Sequence, residues 1–227
     1  MTKVHFFTFS GRSQKWDAFV LMGRSSRELK DIPGAKFMKM LGVGGGKGFA
    51  IYPNWGMYTV LSHWESEEDA TSFEENHPFF SELKQKCDKH LKIIADPLYG
   101  HGSWNGDQPF EYSQEKWEGQ LMVLTRASIS RIKWPIFWFF VPTVSRRVFK
   151  RKGLLMARGV GELPLIEQAT LSVWENAESM ASYAYKQKAH SKMIQMTRSI
   201  KWYREELFVR FAVREVHGDF ATFSIPS

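Results

Sequence analysis

The histidine at position 190 is the side chain of this sequence that is best placed to do chemistry. It lies in the segment 174–195, WENAESMASYAYKQKAHSKMIQ, whose apolar residues recur at helical spacing. On a helix, at 100° per residue, its imidazole projects within about 20° of Tyr183 and about 40° of Ile194. The histidine therefore shares the apolar face of the predicted helix, where its ring nitrogens need partners.

The sequence leaves two interpretations of His190 open. A histidine on an apolar face is often a structural residue whose nitrogens find hydrogen-bond partners in the core. The second interpretation places a metal ion on one nitrogen and a hydrogen-bond acceptor on the other. In that case Tyr183 and Ile194, which share the face of His190, are predicted to line the same cofactor site.

An internal repeat shows what the same position holds elsewhere in the chain. Residues 61–85 align without a gap to residues 171–195 and are identical at eight of 25 positions. In this alignment the counterpart of His190 is Phe80, so the scaffold packs with an apolar residue there. The two copies share a scaffold and differ at one chemically important position.

The elements around the repeat predict the fold. In each half, strand and helix patterns follow the order β-α-β-β-α-β of a ferredoxin-like unit. The predicted fold class is α+β: two tandem ferredoxin-like repeats that form a dimeric α/β-barrel within one chain. The predicted units are residues 1–105 and 119–227, the second with the cofactor site, joined by a linker at 106–118.

The pattern of the first unit predicts two helices. A helix is predicted at 14–30, with Trp16, Phe19 and Val20 on one face. A second helix is predicted from Ser66, which has the spacing of a capping residue to Asp69, and it should be kinked at Pro78.

Arginines in two predicted strands of the second unit are candidate catalytic or cofactor-binding cations. Strand alternation places Arg126 on the face of Met122 and Leu124. The alternative for Arg126 is a rim residue in a salt bridge. Arg158 is a weaker candidate for the same place.

Other motifs give little support to other chemistries. The glycine-rich run 42–48 lacks the Ser or Thr that a phosphate-binding loop needs after Lys47. Cys87 is a lone cysteine on an apolar helix face, where a thiol usually acts as a small hydrophobe. The seven histidines have no spacing typical of a structural zinc site.

The apolar run 134–144, WPIFWFFVPTV, has two interpretations. It is too short to span a bilayer, and a basic cluster follows it up to Lys152. It is either a buried helix face with cations near its C-terminal end, or an aromatic lip whose basic collar meets anionic lipid. The second interpretation makes 134–152 a candidate peripheral membrane contact.

Composition narrows the classes of protein. The chain is 43% hydrophobic and 24% charged, which is ordinary for a globular protein, and it has one cysteine. A disulfide framework is therefore excluded and a reducing, cytoplasmic compartment is expected. The net charge of +7 comes without a nucleic-acid-binding signature, so no nucleic-acid partner is predicted.

Over nearly its whole length the sequence resembles the spheroidene monooxygenase family, a carotenoid-ketolase group of haem proteins with a dimeric α/β-barrel fold. The resemblance is carried by His190 in the second repeat and by five short motifs: KFMKMLGVGGGKG with Phe49 (36–49), PNW (53–55), LTRA (124–127), GVGELP (159–164) and EEL (205–207).

This resemblance implies haem b as cofactor, molecular oxygen as co-substrate and an external electron donor such as ferredoxin. It implies His190 as the axial iron ligand, and the expected substrate is an apolar small molecule such as a polyene. Arg126 is then expected near the open face of the iron. Phe80 is expected to block the matching place in the first unit. A homo-oligomer is a further candidate partner.

Two rival functions stay open at this point. One keeps haem but changes the reaction to a peroxidase-like, chlorite-dismutase-like or aldoxime-dehydratase-like activity, since fold does not determine chemistry. The other is a cofactor-free barrel that binds or oxygenates a small molecule.

Overall fold

In the computed structural model, residues 1–45, 52–129, 152–163, 166–185 and 203–223 are described. Runs of alternating, β-branched and aromatic residues form eight strands. These are β1 (Thr2–Thr8), β2 (Ala35–Gly44), β3 (Pro53–Trp64), β4 (Lys89–Gly102), β5 (Leu121–Ile129), β6 (Leu154–Leu163), β7 (Glu167–Trp174) and β8 (Tyr203–His217).

The strands close into one antiparallel barrel in the order β1-β3-β2-β6-β7-β5-β8-β4. The first four strands are arranged β4-β1-β3-β2, and the last four take the equivalent order β8-β5-β7-β6. The halves meet along two seams. One seam joins β4 to β8 and runs from Lys92 to Gly102 of β4. The other joins β2 to β6 and, within the described residues, pairs Gly42 with Gly161 and Val43 with Val160.

The barrel interior is a single apolar core that both halves share. Side chains alternate between the two faces of a strand, so every second residue points inwards. Buried residues from all eight strands fill this space: Val4, Leu41, Leu61, Ile93, Leu124, Val160, Leu171 and Phe211. The division at 106–118 therefore stays a prediction from the sequence, with no separate interior for each half.

Five helices lie within the described residues: α1 (Arg12–Glu28), α2 (Glu67–Asn76), α3 (Pro78–Lys86), α4 (Ala177–Tyr185) and α5 (Phe220–Phe223). The cap at Ser66 is confirmed, since its hydroxyl accepts a hydrogen bond from the Asp69 N–H at 3.1 Å. Pro78 separates two helices and does not kink one. It occupies the first turn of α3, where its missing N–H costs nothing. The apolar run 134–144 lies outside the described residues.

Helices α1, α2 and α3 cover the outer face of the first half and bury a second core there. Phe80 of α3 is 1% exposed and packs edge-on against His5 of β1, with ring centroids 4.9 Å apart. It also contacts Phe7, at 5.8 Å. The repeat position of Phe80 thus points directly at the sheet.

The predicted linker contributes to one end of the barrel. Trp104 and Phe110 are both 3% exposed and belong to the interior core. Phe110 packs edge-on against Phe211 and against His63, with centroids 5.3 Å away in each case. Phe110 of the predicted linker and the preceding Trp104 therefore help to fill the barrel interior.

The buried His63 predicts how stability depends on pH. Burial, and then the nearby N-terminal ammonium, lower the pKa of His63 to about 4. The unfolded chain, with a histidine pKa of about 6.5, binds more protons below that pH than the folded chain. The free energy of unfolding should therefore fall as the pH drops from about 6.5 to 4, by up to about 3 kcal/mol for this group.

Urea unfolding at neutral pH and at about pH 5 measures this loss. His63→Gln retains a partner for the Thr2 hydroxyl, which lies 2.9 Å from Nδ1 of His63. The variant should lose less stability on acidification than the parent. Equal losses in both proteins would contradict the assignment to His63.

Candidate functional site

Strand pairing shows which residues of the neighbouring strands are equivalent in the two halves of the barrel. The alignment equates Val60 of β3 with Thr170 of β7. Val60 pairs with His5 on one side, and Thr170 pairs with Thr125. His5 and Thr125 therefore occupy equivalent places on the outer faces of the two halves.

The same rule equates two further pairs of positions. Phe7 is the counterpart of Ala127, because they pair with Tyr58 and Gln168 respectively. Met40 and Gly159 pair with Val60 and Thr170 on the other side. Four pairs of positions on the outer faces of the two halves are therefore equivalent: His5 and Thr125, Phe7 and Ala127, Met40 and Gly159, Val60 and Thr170.

In the first half these positions are filled. His5, Phe7, Met40 and Val60 are each at most 3% exposed. The polar edge of His5 is satisfied within the cluster, since its Nδ1 lies 2.9 Å from Nε2 of His90. Packing there leaves no room for a ligand.

In the second half every one of the four residues is smaller. Thr125 stands at the position equivalent to a histidine, Ala127 to a phenylalanine, Gly159 to a methionine and Thr170 to a valine. Thr125 is exposed and Thr170 is half-buried. We name these four residues the hollow face, because their side chains are smaller than the aromatic, thioether and valine side chains at the equivalent positions of the first half.

The helix that carries the second repeat starts beside the hollow face. Asn176 caps α4 by accepting a hydrogen bond from the Ser179 N–H at 2.9 Å. Met180 of α4 packs with Trp174 of β7 in an outer cluster. Tyr183 lies in α4, while His190 and Ile194 lie outside the described residues.

Arg210 is a cation on the same outer face, and sequence reasoning missed it. It pairs with Val123 and neighbours Phe208, which pairs with Thr125. Its guanidinium stands 5.5 Å from the ring of Phe208, and its buried Nε has no hydrogen-bond partner within the described residues. A buried donor without a partner is costly and indicates an anion or water as its natural partner.

An apolar groove lies over the β2–β6 seam. Its walls include Phe19, Trp55 and Tyr58 from the first half. It ends at Gly161 and Gln168 of the second half, and Gln168 pairs with Ala127 of the hollow face. The groove therefore leads from an aromatic surface to the edge of the hollow face.

Arg126 points into the barrel and not onto the hollow face. Its side chain is 1% exposed and forms a hydrogen-bonded ion pair with Glu205. It donates a second hydrogen bond to Oδ1 of Asn105 at 3.0 Å and lies 4.7 Å above the ring of Trp104. The arginine thus serves in the salt bridge that was its alternative interpretation.

The carboxylate of Glu205 is held firmly in its charged form. Burial raises its pKa, but hydrogen bonds from the N–H of Gly106, the hydroxyl of Ser103 and Arg126 outweigh burial and lower the pKa to about 2. The Glu205 carboxylate therefore stays ionised at physiological pH.

Arg158 also lies inside the barrel. Its Nε donates to the carbonyl of Phe223, and burial lowers its pKa to about 10. The structure does not bring Arg126 or Arg158 to the face that the second repeat helix covers at its start. Their predicted roles beside a cofactor stay predictions. Within the described ranges there is no group of three or more His, Cys, Asp or Glu that could hold a metal ion.

The fold is shared with solved structures of low sequence identity. A crystal structure of aldoxime dehydratase superposes with a TM-score of 0.64 at 8% identity and covers 100% of this chain and 88% of that one. A second aldoxime dehydratase, in complex with butyraldoxime, gives a TM-score of 0.51 at 10% identity, over 97% and 80% of the two chains. The chain is thus an eight-stranded antiparallel barrel protein.

Sequence comparison identifies the family. The spheroidene monooxygenase of Rhodobacter capsulatus is 33% identical over 93% of this chain and 89% of that protein. That of Rubrivivax gelatinosus is 30% identical over 82% and 72%, and that of Cereibacter sphaeroides 33% identical over 80% and 57%. No family model matches the chain. The chain belongs to the spheroidene monooxygenase family, and this membership supports a monooxygenase function.

Proposed function

We propose that this protein is a haem-dependent monooxygenase that oxygenates an apolar, extended substrate such as a polyene, with molecular oxygen and electrons from an external donor such as ferredoxin. The observation that carries the proposal is the hollow face, where Thr125, Ala127 and Gly159 replace larger residues. A flat aromatic cofactor needs such a recess between a sheet and a helix. Family membership supports the oxygenase chemistry.

The residues present fit haem b at this face. Phe80 packs between its helix and His5 in the first half, so its counterpart His190 is suited to reach a group bound over Thr125 and Ala127. A neutral imidazole in that position would hold the iron. When bound, haem b activates molecular oxygen for insertion into a substrate.

In this proposal Arg210, which lies on the same outer face as the hollow face, binds the polar edge of the cofactor. Haem b carries carboxylate groups, and the buried Nε of Arg210 offers a donor without a partner within the described residues. A charge-assisted hydrogen bond to a carboxylate would satisfy that donor. Arg126 and Arg158 have no contact with the cofactor in this proposal, because their side chains lie on the interior side of the sheet.

The groove over the β2–β6 seam holds the apolar chain of the substrate. Phe19, Trp55 and Tyr58 offer aromatic surface for an extended hydrocarbon. The groove ends at Gln168, next to Ala127, so a chain lying in it delivers one end to the edge of the hollow face. We also propose that the two halves are tandem ferredoxin-like repeats, which the equivalent strand orders support.

Haem titration and a turnover assay test the proposal together. The purified protein should bind one haem and develop a Soret band. With reduced ferredoxin and isotopically labelled dioxygen, it should place one labelled oxygen atom in a polyene substrate. A protein that takes up no haem would contradict the proposal and support a cofactor-free barrel. Turnover of peroxide or an aldoxime, with none from dioxygen and reductant, would support the rival haem chemistry.

A further inference from the structure

Helix α1 has two apolar faces, and only one of them is buried. Ala18 and Leu21 are 0% exposed and pack on the sheet. On the outward face Trp16 is 65% exposed, Phe19 43% and Val20 38%. The face that the sequence pattern brings together is therefore exposed, which is unusual for large apolar residues at helical spacing.

The exposed residues form a continuous aromatic surface with the neighbouring hairpin. The ring centroid of Trp16 lies 5.8 Å from that of Phe19, and Phe19 lies 5.3 Å from Trp55. Trp55 is 54% exposed and Tyr52, also in the groove wall, is 61% exposed. The surface thus begins on α1 and reaches the wall of the groove.

Charge around this surface is positive at the N-terminal end of α1. Arg12 and Lys15 flank Trp16 and make no ion pair within the described part of the chain, although Lys15 lies near the exposed carboxylate of Asp88. The acidic Asp17 turns away and pairs with Lys86, at 3.2 Å. At the C-terminal end of α1, the guanidinium of Arg27 lies 3.6 Å from the carboxylate of Glu28, which offsets its positive charge.

We propose that this aromatic and basic surface, named the α1 surface (Arg12, Lys15, Trp16, Phe19, Val20, Trp55), docks on an anionic lipid bilayer. Tryptophan and phenylalanine insert at the level of the lipid headgroups, and a cation near an anionic bilayer contributes about 1 kcal/mol. A second protein would need polar partners for its own rim, whereas the exposed core of this surface is aromatic and aliphatic.

Docking through the α1 surface turns the groove towards lipid. An apolar molecule dissolved in the bilayer could then enter past Trp55 and Tyr52 without crossing water. None of the helices in the described ranges is long and apolar enough to span a membrane. Adsorption through one exposed helix face is a different mode of contact, which needs no spanning segment.

Vesicle sedimentation with the full chain tests the docking. The protein should sediment with vesicles made of equal parts phosphatidylglycerol and phosphatidylcholine, and much less with phosphatidylcholine alone. The double variant Trp16→Ser/Phe19→Ser should bind the anionic vesicles at least roughly tenfold more weakly. Arg12→Glu/Lys15→Glu should remove most of the preference for anionic lipid.

Tyr99→Ser is the matched control. Tyr99 is 53% exposed, like Trp55, but lies on β4 beside the other seam, so its loss should leave vesicle binding unchanged. Wild-type binding by Trp16→Ser/Phe19→Ser would overturn the proposal and move attention to residues 134–152. A dimer that the same substitutions dissociate, without any vesicle binding, would also overturn it in favour of a second copy of the chain.

The docking and the proposed function can fail separately. Trp16 is outside the groove wall and the hollow face, so Trp16→Ser should take up haem as the parent does. Loss of vesicle binding with normal haem uptake confirms docking alone. Normal vesicle binding by a protein that takes up no haem refutes only the cofactor.

Discussion

Gly159→Met is expected to lower haem affinity by roughly 100-fold or more, equivalent to about 3 kcal/mol. The substitution gives the second half the residue that its counterpart, Met40, has in the first. Met40 is 3% exposed and belongs to the outer core of the first half. A methionine at Gly159 would occupy the recess over Thr170, so the cofactor would have to displace it.

Absorbance titration with haem measures this affinity, and thermal unfolding shows whether the barrel is intact. Gly23→Met is the matched control, since Gly23 is exposed on α1 with nothing within 4 Å of an added Cβ. It should bind haem as the parent does. A Gly159→Met protein that folds and binds haem with unchanged affinity would show that the hollow face is not the cofactor site.

His190→Ala is expected to weaken haem binding for a different reason. It would take away the ligand and leave the recess, so weak haem binding without the axial bond should persist, with a shifted Soret band. Gly159→Met would take away the recess and leave the ligand. Full haem loading with an unchanged spectrum in His190→Ala would refute the assignment of His190 as the ligand.

Arg126→Met is expected to lower the free energy of unfolding by about 3–5 kcal/mol. The substitution leaves Glu205 in the barrel mouth without its cation, although the carboxylate still accepts hydrogen bonds from Ser103 at 2.8 Å and Gly106 at 2.7 Å. It also removes the guanidinium above Trp104. Urea unfolding of parent and variant measures the loss.

Arg214→Met is the control for the loss of an arginine ion pair at a strand surface. Arg214 is 37% exposed and pairs with Asp96 at 2.8 Å, so its loss should cost less than about 1 kcal/mol. Adding Glu205→Gln to Arg126→Met should restore part of the stability, because the uncompensated charge disappears. Normal stability of Arg126→Met together with lost turnover would instead support the catalytic role predicted from the sequence.

Much of the fold could be predicted from the sequence repeat, because two copies of one pattern are expected to occupy equivalent places. Its limit is visible on β5. Met122 and Leu124 face inwards with Arg126, but Leu121 and Val123 on the opposite face are equally apolar. A strand buried on both faces does not reveal which side is the barrel interior. The sequence therefore could not show on which side of the sheet Arg126 lies, and only the closed barrel of the structure does so.

Arg210 and the α1 surface show two other limits. Strand alternation in β8 places Arg210 opposite Phe211, but its neighbours Tyr99 and Val123 come from strands more than 80 residues away. Long-range pairing of this kind has no local signature. On α1, helical spacing identified an apolar face, and spacing alone cannot tell an exposed stripe from a buried one.

The unequal seams of the barrel have a consequence for symmetry. Two identical half-barrels related by a two-fold axis would have to make two identical seams. Joining the halves in one chain removes that requirement, and here β4 and β8 pair over a long stretch while β2 and β6 meet around Gly42 and Val43 in the described residues. One junction can then hold the molecule together, which leaves the other free to diverge and accommodate a groove.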